Sequence, residues 1–82
     1  MNYNNYREVS MGQNISEVVV RYGAPYEVRK LPSGLEEYVY IEHVTTGAKS
    51  SAMREYIIVV ADGRVIDKKS NETQAPSLRF SH

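Results

Sequence analysis

The stretch Tyr56-Ile57-Ile58-Val59-Val60 constrains the fold more than any other part of the chain. Aromatic and β-branched side chains favour a strand, and this run has no polar alternation. Such a strand needs cover on both faces, which is the requirement of a central strand. Asp62-Gly63 follows almost at once, and an Asp-Gly pair suits a two-residue type I′ hairpin turn. The reading is therefore a strand over Arg54 to Ala61, returning over Arg64 to Lys68. Leu35 to His43, rich in Tyr, Val and Ile, is the strand before them. Three strands in succession make an antiparallel meander.

The intervening segments are punctuated by turn residues. Tyr26 to Leu31 is short and extended, and Pro32-Ser33-Gly34 is a turn. Thr45 to Ala52, with Gly47, Ser50 and Ser51, reads as a loop. Ser70 to His82 is polar, contains Pro76, and reads as a loose tail.

Helical signals precede the sheet. Asn14 is a candidate N-cap with Glu17 at the capping-box position. Ile15, Val18, Val19 and Tyr22 then mark one helix face, Gly23 provides a left-handed stop, and Pro25 forbids continuation. A helix over Ile15 to Tyr22 follows. A short helix over Asn4 to Met11 is also expected from Tyr6 and Val9, one turn apart. The predicted fold is α+β: two short helices on a three-stranded antiparallel meander, in the order ααβββ. Residues 1–69 form the domain and 70–82 a flexible tail.

Alternation assigns Val39, Ile41, Ile57 and Val59 to one sheet face. Tyr38, Tyr40, Tyr56, Ile58 and Val60 take the other. The helices can cover only one of these. The second is to be met by a partner, a second copy, or the tail through Leu78 and Phe80. Seven tyrosines stand against one phenylalanine and no tryptophan. A tyrosine ring packs while its hydroxyl stays wet, so Tyr38, Tyr40 and Tyr56 are the candidate partner-binding residues. The rival reading places them under the helices.

Composition removes several classes of function. An 82-residue chain is one domain, burying roughly 60% of its unfolded surface, with no room for a deep cavity besides its core. Ten Lys and Arg balance ten Asp and Glu, which speaks against nucleic acid as a partner. With no cysteine there is no disulfide frame, thiol nucleophile or cysteine zinc site. No run approaches the ~20 apolar residues of a membrane-spanning helix, and no signal peptide is apparent. The chain is thus cytosolic or the mature part of an exported protein.

His43 and His82 are the only histidines. Ser50 and Ser51 are near His43, but no nucleophile motif surrounds them, and Glu42-His43 lacks further metal ligands at useful spacing. Gly12 and Gly23 match no phosphate-binding fingerprint. No catalytic residue, metal or cofactor is therefore assigned. The pairs Arg29-Lys30 and Lys68-Lys69 read as solvated strand ends, the alternative being a weak contact with anionic lipid headgroups.

The segment from Gly12 to Pro25 resembles the signature of the SmpA/OmlA family, small lipoproteins of outer-membrane assembly and envelope integrity. Gly12, Asn14, Val18, Gly23 and Pro25 stand at its Gly, cap, mid-helix Val and Gly-x-Pro positions. Tyr38-Val39-Tyr40 and Asp62-Gly63-Arg64-Val65 resemble its later strands, so the resemblance spans Tyr6 to Lys69. Gln13 replaces the usual Met after the Gly, Glu36 replaces an aromatic, and the lipidated cysteine is absent. The resemblance implies two helices on a three-stranded sheet. It also implies a non-enzymatic scaffold binding a protein partner in the periplasm or at the inner face of the outer membrane. The same small fold is similar to the repeat of the β-lactamase inhibitory protein. That likeness makes an enzyme-binding inhibitor module one alternative, and a cytosolic homodimer is the other.

Overall fold

The computed structural model describes residues 1–45 and 51–74. Helices α1 (Tyr3–Glu8) and α2 (Ile15–Tyr22) precede strands β1 (Glu27–Lys30), β2 (Glu36–Thr45), β3 (Ser51–Ala61) and β4 (Arg64–Gln74). The strands form one antiparallel sheet in the order β1-β2-β3-β4. The fold is α+β, with four strands rather than three.

The extra strand is the extended segment after Pro25. Glu27 to Lys30 pairs with Val39 to Glu36. Every residue of β1 is exposed and Val28 is its only apolar one, so it carries no burial pattern. Its place comes from backbone hydrogen bonds, which sequence patterning does not encode. Boundaries of α1, β2, β3 and β4 also move. Helix α1 begins at Tyr3 and ends at Glu8, short of Met11. Strands β2 and β3 run to Thr45 and from Ser51, into what was expected to be loop; residues 46–50 of that loop lie outside the described residues. Strand β4 continues past Lys69 to Gln74, which pairs with Ala52. The expected tail contact through Leu78 and Phe80 lies outside the described residues.

Helix α2 starts and stops where the sequence places it. Asn14 is the N-cap, its Oδ1 accepting from the Ser16 N–H at 2.9 Å and from the Ser16 hydroxyl at 2.7 Å. Glu17 binds Asn14 through its backbone N–H, to the Asn14 carbonyl at 3.0 Å. The reciprocal capping box forms at α1 instead, between Asn2 and Asn5. Because Asn14 Oδ1 takes an orphan N–H of the first turn, Asn14→Ala should lower stability by about 0.5–2 kcal/mol in urea unfolding. A change within experimental error would remove Asn14 as a cap.

The helical arm and the sheet are joined where Gly12 to Ile15 meets the turn and start of β4. Asp62 and Gly63 have φ of 51° and 77°, both positive as a type I′ turn requires. The Gly63 carbonyl accepts from Ile15 N–H at 2.9 Å. Val65 accepts from Gly12 N–H at 2.7 Å and donates to the Gln13 carbonyl at 2.9 Å. Gly12 to Asn14 thereby runs antiparallel along the start of β4, bridged at Asn14 and Arg64.

Helix α1, with six residues, is too short to persist alone. Lys68 of β4 ties it down. Its ammonium donates to the carbonyls of Tyr6, Arg7 and Val9 at 2.7, 3.2 and 2.8 Å and lies 4.8 Å from the Tyr6 ring centroid. A cation at a helix C-terminus meets the negative end of the dipole. Lys68 is thus a structural clamp, not the solvated strand end its sequence context suggested.

Candidate interaction site

The three candidate tyrosines lie on the face that the chain's own helices cover. Tyr56 is wholly buried, Tyr40 is 3% exposed, and Tyr38 packs partly buried against the same cluster. Val9 and Ile15, Val18 of α2, and Ile58, Val60 and Val65 of the sheet complete the core. The rings therefore do not form an open binding face, and the rival placement under the helices holds. Even-numbered residues of β2 and β3 point to the helix side, so the rings fill the helix–sheet interface. Their hydroxyls are satisfied at its rim. Tyr40 donates to the Gly23 carbonyl at 2.8 Å, and Tyr56 donates to the Glu42 carboxylate at 2.5 Å.

Burial raises the Tyr40 and Tyr56 hydroxyls above the ordinary tyrosine value of 10.0, and the Glu42 carboxylate adds to the effect on Tyr56. The sign of the pH dependence follows. Above about pH 10 the unfolded chain loses these protons while the folded one keeps them, so the folded state binds more protons. Their contribution to stability is present below pH 10 and falls as pH rises through the raised folded values. Urea midpoints should therefore drop through the alkaline range, and the drop should flatten in Tyr40→Phe/Tyr56→Phe. An equally steep drop in that variant would refute this origin.

The opposite face carries Val39, Ile57 and Val59, also buried, with Leu35 and Ile41 beside them. They are roofed by ion pairs that reach between strands. Arg29 of β1 contacts Glu27 at 2.6 Å and reaches both Glu37 of β2 and Glu55 of β3 at 3.5 Å. Lys69 of β4 spans β3 to Glu37 at 3.8 Å. Glu37, 14% exposed, is the hub. Long charged side chains lay their stems on apolar surface and keep their heads wet, so this strip is covered without a partner. Arg29, Lys68 and Lys69 are all engaged within the chain.

The open feature is an edge. In an antiparallel strand both backbone groups of a residue face one side, and alternate residues face opposite sides. The carbonyls of Leu35 and Val39 accept from Leu31 and Tyr26 at 2.9 and 2.7 Å. Odd-numbered residues of β2 therefore face β1. Strand β1 pairs no further than Val39, whereas β2 continues to Thr45. The N–H and C=O groups of Ile41, His43 and Thr45 thus point outward, and among the described residues no backbone group pairs with them. Beside this edge opens a groove of about 530 Å³ lined by Tyr22, Ala24, Tyr26, Ile41, His43 and Met53, among others. Tyr26 and Met53 are 74% and 43% exposed.

The two edges of the sheet are not alike. At β4 both backbone groups of Val65 are taken by Gly12 and Gln13, and the Lys68 N–H is taken by the Asp67 carboxylate at 2.9 Å. Asp67, Lys68, Lys69 and Glu72 add the charges that keep edges from pairing. From Tyr40 to Thr45, β2 carries one charged side chain, Glu42, which accepts from Tyr56 and lies 3.8 Å from Arg54. Open strand edges are expected of any such sheet, but this one cannot be located from sequence, because the extended segment that becomes β1 has no burial pattern to mark where it pairs and stops.

The other singled-out residues have local roles. Val18 is fully buried, and Gly12 and Gly23 have φ of 84° and 96°. Pro25 lies between Gly23 and β1, where its missing N–H keeps the chain from continuing α2. His43 is exposed and pairs across the sheet with Met53. Ser51 opens β3 opposite Thr45; Ser50 and His82 lie outside the described residues. Among the described residues no three His, Asp or Glu side chains gather as metal ligands, and no helix is long and apolar enough to cross a membrane. Comparison with known protein families, with curated proteins and with solved structures gave no match to this chain.

Proposed function

We propose that this chain is a non-enzymatic binding module that docks another polypeptide along the free edge of β2, serving as an accessory or scaffold protein of the cell envelope. The observation that carries the binding part is the outward-facing backbone of Ile41, His43 and Thr45 beside a groove that Tyr26, Ile41 and Met53 help to line. Unpaired strand edges recruit extended segments through main-chain hydrogen bonds, with neighbouring pockets selecting side chains. The envelope part is supported by the resemblance to SmpA/OmlA lipoproteins. The inhibitor alternative needed an open tyrosine face, and Tyr40 and Tyr56 are covered by the helices.

A photocrosslinking residue tests both parts in the source cells. Placed at His43 it should give a discrete protein adduct that fractionates with the envelope, while at Asn71 of β4 it should give none. Equal labelling at both positions sinks the edge as the binding surface. A discrete adduct confined to the cytosol sinks the envelope assignment alone.

A further inference from the structure

We infer that the polypeptide docked on β2 is a second copy of this chain, joined in antiparallel register with His43 on the twofold axis. The inference rests on the reading of the β2 edge as a binding surface and names its occupant.

Register arithmetic selects this arrangement among pairings confined to the described residues; an axis at Val44 pairs only His43 with Thr45 and leaves Ile41 without a described partner. Backbone groups that face the open side belong to odd-numbered residues, so only odd positions can exchange hydrogen bonds across the axis. An axis at Ile41 would oppose His43 to Val39, whose carbonyl β1 already takes. An axis at Glu42 opposes two Glu42 side chains and leaves Thr45 facing Val39. Like charges directly opposite each other destabilise a strand pair. An axis at His43 opposes Ile41 to Thr45, His43 to His43 and Glu42 to Val44. Each of Ile41, His43 and Thr45 then exchanges both backbone groups, and no carboxylate faces another.

The geometry of one copy also makes room for the other. Because β1 ends opposite Val39, the paired window of Ile41 to Thr45 is clear of β1 in both copies. Met53 is His43's cross-strand neighbour, so its exposed side chain flanks the axis. The two sheets become one, and the open stretch of β2 in each is consumed. The β4 edge, with its charges and internal partners, stays outside.

Opposite charges at the axis provide the test. Wild-type protein should sediment as a dimer at high concentration. His43→Lys and His43→Glu should each lose the dimer, since each opposes like charges, while keeping the circular dichroism and melting temperature of a folded monomer. Mixing the two should restore a dimer containing one copy of each. No other occupant predicts that complementation. As an independent measure, the amides of Ile41, His43 and Thr45 should gain hydrogen-exchange protection with rising wild-type concentration, and those of Ser70 and Glu72 should not.

A dimer that survives in both single variants, or a mixture that stays monomeric, overturns the proposal. A wild-type chain that is monomeric, with edge amides protected only when another protein is added, also overturns it and leaves the edge reading standing. Protection of those amides that is independent of concentration in a monomer removes both.

Discussion

Tyr56→Ala should cost about 3–5 kcal/mol, the range for truncating a large buried aromatic. The side chain is wholly buried, its ring lies 5.2 Å from that of Tyr6 at a 34° tilt, and it is the largest fully buried residue in the core. Truncation opens a cavity under α1 and strands the Glu42 carboxylate without its hydroxyl donor. Stabilities of about 0.05–0.15 kcal/mol per residue are usual. For a chain this short the loss therefore removes much of the whole, and the melting temperature should fall by more than ten degrees, at roughly 4–8 °C per kcal/mol. Tyr56→Phe keeps the ring and should cost only about 1 kcal/mol, the worth of one hydrogen bond. Thermal unfolding of the two variants checks this. If Tyr56→Ala folds with wild-type stability, the ring is not core, and the assignment of the tyrosine face to the helices is wrong.

Gly23→Val should cost about 2–4 kcal/mol, through the backbone rather than through packing. Gly23 has φ 96° and ψ 174°, a region that only glycine occupies comfortably, where other residues carry about 1–3 kcal/mol of strain. This extended turn, not a left-handed helical one, swings the chain from α2 toward β1. It also aims the Gly23 carbonyl at the Tyr40 hydroxyl, a bond worth about 1 kcal/mol that a relaxed backbone would lose. A Cβ at Gly23 would meet nothing within 4 Å. Gly23→Ala should therefore cost nearly as much as Gly23→Val in chemical unfolding. A neutral Gly23→Ala would contradict the backbone conformation, and a large gap between the two would implicate packing instead.

The arrangement of the core explains why a tyrosine-rich chain folds this way. A short domain has few layers, so its largest rings sit where one end reaches water. Tyr40 and Tyr56 bury their rings between helices and sheet and spend their hydroxyls on Gly23 and Glu42. Tyr22 of α2, partly buried against the same core, donates its hydroxyl to Glu8 at 2.8 Å. For Tyr40 and Tyr56 the rival reading, rings under the helices, therefore holds, whereas Tyr26 is exposed: a hydroxyl that needs a partner can find one within the chain.

Local chemistry was legible in the residues themselves. The helix from Ile15 to Tyr22 has its cap at Asn14 and its stop at Gly23, and the Asp62-Gly63 turn has the φ values its type requires. The apolar run through Tyr56 to Val60 is the buried middle of a central strand. These features depend on neighbours a few residues apart, and sequence reports such neighbours directly. The α+β class followed from them.

What the tertiary structure decided depends on residues far apart in the chain. Which sheet face takes the helices was open, because both faces are apolar. The choice follows from the pairing of Gly12 to Asn14 with the start of β4, which lays the helical arm over the even-numbered residues. The cover on the other face comes from Arg29, Glu37, Glu55 and Lys69, drawn from all four strands. No spacing within one segment signals such a lattice. Strand β1 has no burial pattern of its own, and its early end creates the open edge from Ile41 to Thr45. An edge is a relation between strand lengths, so it exists only once the strands are paired.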